Sequence, residues 1–332
     1  MYGALQPLLM RLDPERAHAL TLDVLRIADR LRMLPQPRAS GISVERMGLR
    51  FANRVGLAAG FDKNGICIDA LGRLGFGFIE VGTVTPRPQP GNTRPRVFRL
   101  RESHAVVNRM GFPNEGVEAL AARLAQRRYR GICGVNIGKN AATPLDEAGA
   151  DYAACLKAVY ARADYVALNI SSPNTLGLRE LQQESRLAPL LESLLELRSR
   201  LATEHGRHVP LLVKLSPDLT DEDLAATARI IAALGIEGVI ATNTTIRRPS
   251  LASHHGAGEQ GGLSGTPLLE LSLGAVRRLR AELGARTVII GVGGIDSVAA
   301  ARAMREAGAD LFQVYTGLVY RGPRLVRELA RI

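Results

Sequence analysis

The sequence predicts an α/β fold, a closed (β/α)8 TIM barrel carrying an N-terminal helical extension. Three observations point there. Eight short runs rich in Val, Ile and Leu recur along the chain, each followed by a stretch of helical period, the signature of parallel strands joined by crossover helices. The length of 332 residues suits one such barrel with insertions. Polar residues gather where the runs end, which is where barrel active sites are built. Eight strand-then-helix units favour closure over an open doubly wound sheet.

Residues 1–34 stand outside this repeat. In "LDPERAHALTLDVLRIADRLRML", Asp13 is placed to cap a helix and Pro14 to open it, with Leu20, Val24, Ile27 and Leu31 at helical spacing. Arg16, Arg26, Arg30 and Arg32 accompany them. Such a helix either packs its apolar face on the barrel or lies on an anionic membrane surface. The barrel is expected over residues 42–332, with "ISVERMGLRF" as a small hairpin closing its bottom. The strands are then "RVGLAAG" (54–60), "FGFIEVGTV" (76–84), "ICGVNIGK" (132–139) and "YVALNIS" (165–171). "PLLVKLSP" (210–217), "GVIATNT" (238–244), "TVIIGVGG" (287–294) and "LFQVYTG" (311–317) complete the set. "DEDLAATARIIAALG" and "DSVAAARAMREAGA" supply crossover helices, each expected to be capped by its opening Asp. Two long loops, Thr85 to Pro113 and Thr245 to Gly265, are expected to cover the barrel mouth.

Composition excludes several functions. With 46% hydrophobic residues and no Trp, the core must be aliphatic. Cys67, Cys133 and Cys155 form no CxxC pair, which argues against disulfides and zinc. The net charge of +11 is scattered and lacks aromatic interleaving, so nucleic acid is not the expected partner. Of 43 basic residues only four are lysine: Lys63, Lys139, Lys157 and Lys214. In a chain that uses arginine by habit, a retained lysine marks a place for a compact, titratable ammonium. No run of about eighteen apolar residues exists to span a membrane. Pro7, Arg11 and Asp13 break the order a signal peptide needs, so the chain is expected to stay inside the cell.

The strand ends carry an unusual set of groups. They offer Asp62 and Lys63, Thr83 and Thr85, Asn136 and Lys139, then Asn169, Ser171, Ser172 and Asn174. Strands five and six add Lys214 and Ser216, then Thr242, Asn243 and Thr244. Histidine is missing and carboxylates nearly so, which argues against a metal site and a two-carboxylate hydrolase. Amides and hydroxyls suit a planar ligand edged with carbonyl and N–H groups, such as a flavin ring or a pyrimidine. Gly293, Gly294 and Gly317, with "GGLSG" (261–265), offer bare backbone donors where barrels bind phosphate. Ring and phosphate together suggest flavin mononucleotide, FMN. Lys214, in mid-strand, is the cation to stabilise the anion of a reduced flavin; the alternative is a Schiff-base lysine in a lyase.

The motifs "AAGFDKNG", "GTVTPRPQPGNTRPRVFRL", "NRMGF", "NIGKN", "NISSPNT", "ATNTT", "GGLSG" and "GVGGIDS" resemble the membrane-associated, quinone-reducing class 2 dihydroorotate dehydrogenases from about Leu12 to the C-terminus. The resemblance implies oxidation of dihydroorotate to orotate in pyrimidine biosynthesis. Ser172 would be the base taking the C5 proton while hydride passes from C6 to flavin N5. A Ser here, rather than Cys, matches the quinone-using class. FMN would be held by Ala59, Gly60, Phe61, Asp62, Lys63 and Thr83 on one side, and by Asn136, Asn169, Lys214 and Thr242 on the other. Its phosphate would sit at Gly265, Gly294, Tyr315 and Thr316, the last standing where a close relative has Ser. Substrate would lie against Lys63, Asn108, Arg109, Met110, Gly111 and Phe112, and against Asn169, Asn174, Asn243 and Thr244. Quinone would reach His18, Arg99 and Tyr315 through the N-terminal helices, docked peripherally on the cytoplasmic face of the cell membrane. A monomer is implied.

Overall fold

In this computed structural model, which describes residues 2–34, 41–248, 251, 256 and 258–332, two helices lead the chain, α1 (Tyr2–Leu9) and α2 (Pro14–Arg30). Asp13 caps α2 as expected, its carboxylate accepting the Arg16 N–H at 3.0 Å, and Pro14 fills the first position, where no N–H is needed. The apolar stripe does not do the packing. Leu20, Val24, Ile27 and Leu31 are 46, 53, 53 and 64% exposed, whereas Ala17 at the edge of the stripe and Leu22 on the opposite face are buried. Buried Asp29, paired with Arg73 and Arg128, fastens the end of the helix to the barrel. The helix therefore docks through Ala17, Leu22 and Asp29, with Leu25 packed against the core, and leaves the four-residue apolar strip bare. The expected boundary between residues 34 and 42 falls largely outside the described residues.

A hairpin of β1 (Val44–Arg46) and β2 (Leu49–Phe51) follows, turning through Met47 and Gly48 at positive φ. Its Phe51 is fully buried edge-on to Phe78, ring centroids 5.2 Å apart, and stops the bottom of the barrel.

The remaining strands, in chain order, are β3 (Val55–Leu57), β4 (Phe78–Val84), β5 (Val97–Leu100), β6 (Ala105–Asn108), β7 (Ile132–Ile137) and β8 (Tyr165–Asn169). β9 (Leu211–Leu215), β10 (Gly238–Ala241), β11 (Gly262–Gly265), β12 (Val288–Val292) and β13 (Leu311–Val314) follow. Eight of them, β3, β4, β7, β8, β9, β10, β12 and β13, close an all-parallel barrel, and each lies within one of the runs read from the sequence. Buried on both faces, these strands show no polar alternation, as a helix-covered parallel sheet requires.

Outside the barrel lie α3 (Ile68–Gly72), α4 (Val117–Gln126), α5 (Ala148–Val159), α6 (Glu184–His205), α7 (Asp221–Ala233), α8 (Leu269–Leu283) and α9 (Val298–Glu306). α10 (Thr316–Arg321) and α11 (Pro323–Leu329) end the chain. The caps of α7 and α9 differ from expectation: Thr220 and Ser297 accept the N–H groups of Asp223 and Ala300. Asp221 falls inside the first turn of α7, where the helix dipole favours it, and Asp296 accepts from Thr266 instead.

The two long loops are not loops throughout. β5 and β6 form a hairpin within the Pro-rich insertion, and β11 from the strand-six loop adds to it, pairing Gly262 with Asn108 and Gly265 with Ala105. Of the stretch Thr245 to Gly265, residues 249–250, 252–255 and 257 lie outside the described ones. Strands of four residues leave too short a pattern to be read in advance. Inside the barrel, an apolar lower layer of Phe78, Leu212, Ile240, Val288 and Leu311 gives way upward to Glu80, Asn136, Lys214 and Gln313. Among the described residues no helix is long and apolar enough to cross a membrane.

Candidate functional site

A cavity of about 340 Å³ opens at the C-terminal ends of the barrel strands, with α2 along one wall and residues of the three-stranded sheet along another. The strands place its side chains by register. β8 and β9 run side by side with Asn169 opposite Lys214, and β9 pairs Lys214 with Ile240 of β10.

One part of the wall is a network of amides and hydroxyls. Asn169 Nδ2 donates to Thr83 Oγ1 at 2.9 Å and to Asn136 Oδ1 at 3.2 Å. Asn243 Nδ2 donates to Asn169 Oδ1 at 3.1 Å and to Ser171 Oγ at 3.0 Å. Asn174 Nδ2 donates to Asn108 Oδ1 at 3.2 Å, joining the strand-four loop to the sheet above it. Ser172 lies nearly buried on the cavity surface, its Oγ accepting the Asn174 N–H at 3.3 Å. Ser171 is spent on Asn243, a structural part.

Two lysines reach the cavity. Lys63 Nζ donates to Gly60 O at 2.7 Å; burial and the nearby Arg96 guanidinium push its pKa down to about 8, with Glu15 and Asp62 opposing. Lys214 is buried, which lowers its pKa, while the Glu80 carboxylate acts to raise it. Among the described residues its ammonium has no hydrogen-bond acceptor. A buried ammonium in that state calls for an anionic or carbonyl partner in the cavity.

The cavity is also lined by Gly265, Gly294 and Thr316. Gly265 and Gly294 have φ of +95° and +74°, and a Cβ on either would strike backbone or Leu269, so only glycine fits. Thr316 Oγ1 lies 2.8 Å from Ser264 Oγ. Backbone N–H groups left bare by glycine, beside two hydroxyls, suit a phosphate.

Against α2, three rings follow one another. His18 meets Phe61 edge-on at 5.0 Å, and Phe61 meets Tyr315 at 5.5 Å. Burial and the charge of Lys63 push His18 down to about 4, so its ring is neutral near pH 7. Arg99 on β5 donates to the carbonyls of Leu9, Met10 and Leu12, which fixes the turn between α1 and α2 at the cavity rim.

Three residues expected at the site turn elsewhere. Arg109 points away, to Glu259 at 2.7 Å and over the Phe98 ring. The Asp62 carboxylate accepts the N–H groups of Ile66 and Cys67 and so shapes the loop. Asn136 lies one layer below the cavity surface. Reading strand ends missed Glu80, in mid-strand; the lone carboxylate in "FIEVG" was its signal. It missed too the buried pairing of Arg96 with Glu15 of α2, at 2.9 Å, which no local pattern announces. Among the described residues no group of His, Cys, Asp or Glu could hold a metal ion.

Known proteins resemble this chain over nearly its whole length. The family profile of dihydroorotate dehydrogenase matches residues 42–331. The "Dihydroorotate dehydrogenase (quinone)" of Chromobacterium violaceum is 54% identical, covering 100% of this chain and 97% of that protein. The protein of the same description from Xanthomonas oryzae pv. oryzae is 55% identical over 99% of this chain and 94% of its own. Ligand-free DHODH from Eimeria tenella superposes with a TM-score of 0.89 at 38% identity, over 96% of this chain and 93% of that one.

Proposed function

The chain belongs to the dihydroorotate dehydrogenase family, and we propose that it runs the quinone-linked reaction with FMN held in the cavity at the barrel mouth. It is a flavin-dependent oxidoreductase of pyrimidine biosynthesis that oxidises dihydroorotate to orotate and reduces quinone. The observation that carries FMN is Lys214, a buried ammonium on the cavity wall without a protein acceptor among the described residues, on the same wall as a glycine cradle of phosphate chemistry. Gln313 Oε1, buried in the same wall, also lacks a donor among them. When bound, FMN accepts the hydride leaving C6 of the substrate and yields the electrons to quinone.

The chain's own groups do the rest. Lys214 stabilises negative charge where it builds on the ring. Thr83, Asn169 and Thr242 orient the ring, and Gly265, Gly294 and Thr316 hold the phosphate. Asn174, Asn108 and Asn243 read the amide edges of the pyrimidine, and Lys63 pairs with its carboxylate. Ser172 takes the C5 proton. A serine is a weak base, so its own hydroxyl proton passes on to solvent as it takes the C5 proton, and the Asn174 N–H bonded to its Oγ steadies the charge that gathers there. Quinone enters between α1 and α2 and meets Tyr315, His18 and Arg99. The bare strip of α2, with Arg26 and Arg30 on the same helix, rests on the cytoplasmic face of the membrane, so the protein is peripheral. Residues 1–34 are thus the access segment and 42–332 the FMN barrel. The cavity is lined by residues of one chain, and the protein acts as a monomer.

An anaerobic visible spectrum of the purified protein tests this. Flavin bands that bleach with dihydroorotate and return with a quinone are expected. A colourless protein that FMN cannot reconstitute overturns the reading, and borohydride trapping of a carbonyl substrate on Lys214 would establish a lyase in its place.

A further inference from the structure

Glu80 is fully buried in the middle of β4, beneath the cavity and away from every strand end. A carboxylate there is costly. Well-packed hydrophobic residues in place of a buried charged group are often as stable or more so, and the layer just below consists of Phe, Leu, Ile and Val. What the carboxylate does is visible in its partners. It accepts from Asn136 Nδ2 at 2.8 Å, from the Tyr165 hydroxyl at 2.8 Å and from Gln313 Nε2 at 2.7 Å. Its charge also acts on Lys214 across the barrel, against the effect of burial.

An ionised carboxylate only accepts hydrogen bonds, and that one-sidedness propagates. Asn136 must turn its NH₂ toward Glu80, so its oxygen faces the mouth and receives Thr83 Oγ1 at 2.6 Å and Asn169 Nδ2 at 3.2 Å. With its NH₂ committed downward, Asn169 presents its oxygen to Asn243 Nδ2 at 3.1 Å. Three amides on three strand ends are thereby oriented in one sense from a single buried anchor. An amide can be turned end for end at little steric cost, so something must choose the direction, and in this chain the carboxylate is the group that cannot donate.

We propose that Glu80 is a positioning residue of the reaction: it fixes the direction of the Asn136, Asn169 and Asn243 amides and supplies the countercharge of Lys214, and so sets both flavin potential and orotate affinity. This rests on the flavin reading of the cavity. The charged group facing Lys214 is Glu80 on β4, with the neutral Tyr165 hydroxyl of β8 bonded to the same carboxylate. In Glu80→Gln the side chain keeps its shape but presents an NH₂ toward donors, and Lys214 loses its countercharge.

The test is the midpoint potential of bound FMN, with the orotate dissociation constant read from the perturbed flavin spectrum, in wild type, E80Q and E80D. E80Q is expected to retain flavin, to shift the potential negative because Lys214, with nothing left to oppose the effect of burial, gives up its proton, and to weaken orotate by about tenfold, the scale of one lost charge-assisted hydrogen bond. E80D, which keeps the charge, is expected to move the potential back toward wild type. A flavin-bound E80Q with wild-type potential and orotate affinity overturns the role. Should E80Q fail to fold, Asn136→Leu cuts the amide chain and leaves Glu80 with Lys214. Weaker orotate binding at an unchanged potential then supports the proposal, and unchanged orotate binding overturns it. A yellow wild type with an unaffected E80Q overturns Glu80 alone, whereas a colourless wild type that FMN cannot reconstitute overturns the flavin reading with it.

Discussion

Ser172 and Lys63 act at the level of single atoms, and each predicts a separate loss. Ser172→Ala removes the proton acceptor without touching the phosphate cradle or Lys214. Bound flavin is expected to stay, while its bleaching by dihydroorotate, followed by rapid mixing, slows by about 10²–10⁴-fold. Lys63 binds a carboxylate only while protonated, so dihydroorotate affinity is expected to fall as pH rises through about 8. Glu15 is one of the charges holding that value up; in Glu15→Gln the unpaired Arg96 bears on Lys63 undiminished, and the fall begins at lower pH. A titration of substrate affinity against pH in both proteins checks the sign. Much of this was legible in the chain: "NISSPNT" put Asn169, Ser172 and Asn174 at a strand end, and the scarcity of lysine singled out Lys214. Glu15 and Arg96 were not, because they lie far apart in sequence and meet only when α2 settles on the insertion.

Among the elements, α2 best separates what a pattern shows from what a fold decides. Its boundaries followed from Asp13 and Pro14, because capping is local chemistry. Its packing face did not follow from the apolar stripe, since the helix docks through Ala17, Leu22 and a buried Asp29 while Leu20, Val24, Ile27 and Leu31 stay outside. Val24→Gln with Ile27→Gln is therefore expected to leave folding and flavin bleaching intact and to abolish sedimentation with anionic vesicles. Loss of flavin or of stability in that variant would mean the strip is packed after all. The eight barrel strands were readable because burial on both faces makes each one continuously apolar. The sheet of β5, β6 and β11 was not, for its strands are four residues long and β11 joins the hairpin across more than 150 positions, as in Ser264 to Val106 at separation 158.

For the whole molecule, the barrel is stopped at the bottom by Phe51 and left hollow at the top, so stability should depend on what fills the hollow. Removing FMN is expected to lower the melting temperature. Restoring it at a thousandfold excess over its dissociation constant should return about 4 kcal/mol, and riboflavin, without the phosphate for Gly265 and Gly294, distinctly less. A melting temperature indifferent to FMN would contradict the cradle. The same hollow is lined both by Asn174 and Thr244 and by Pro14 and His18 of α2. A compound wedged beside α2 would therefore inhibit to the same degree however much dihydroorotate is added. One seated by Asn174 would be driven out by it, so two parts of a single cavity would answer as different targets to the same screen.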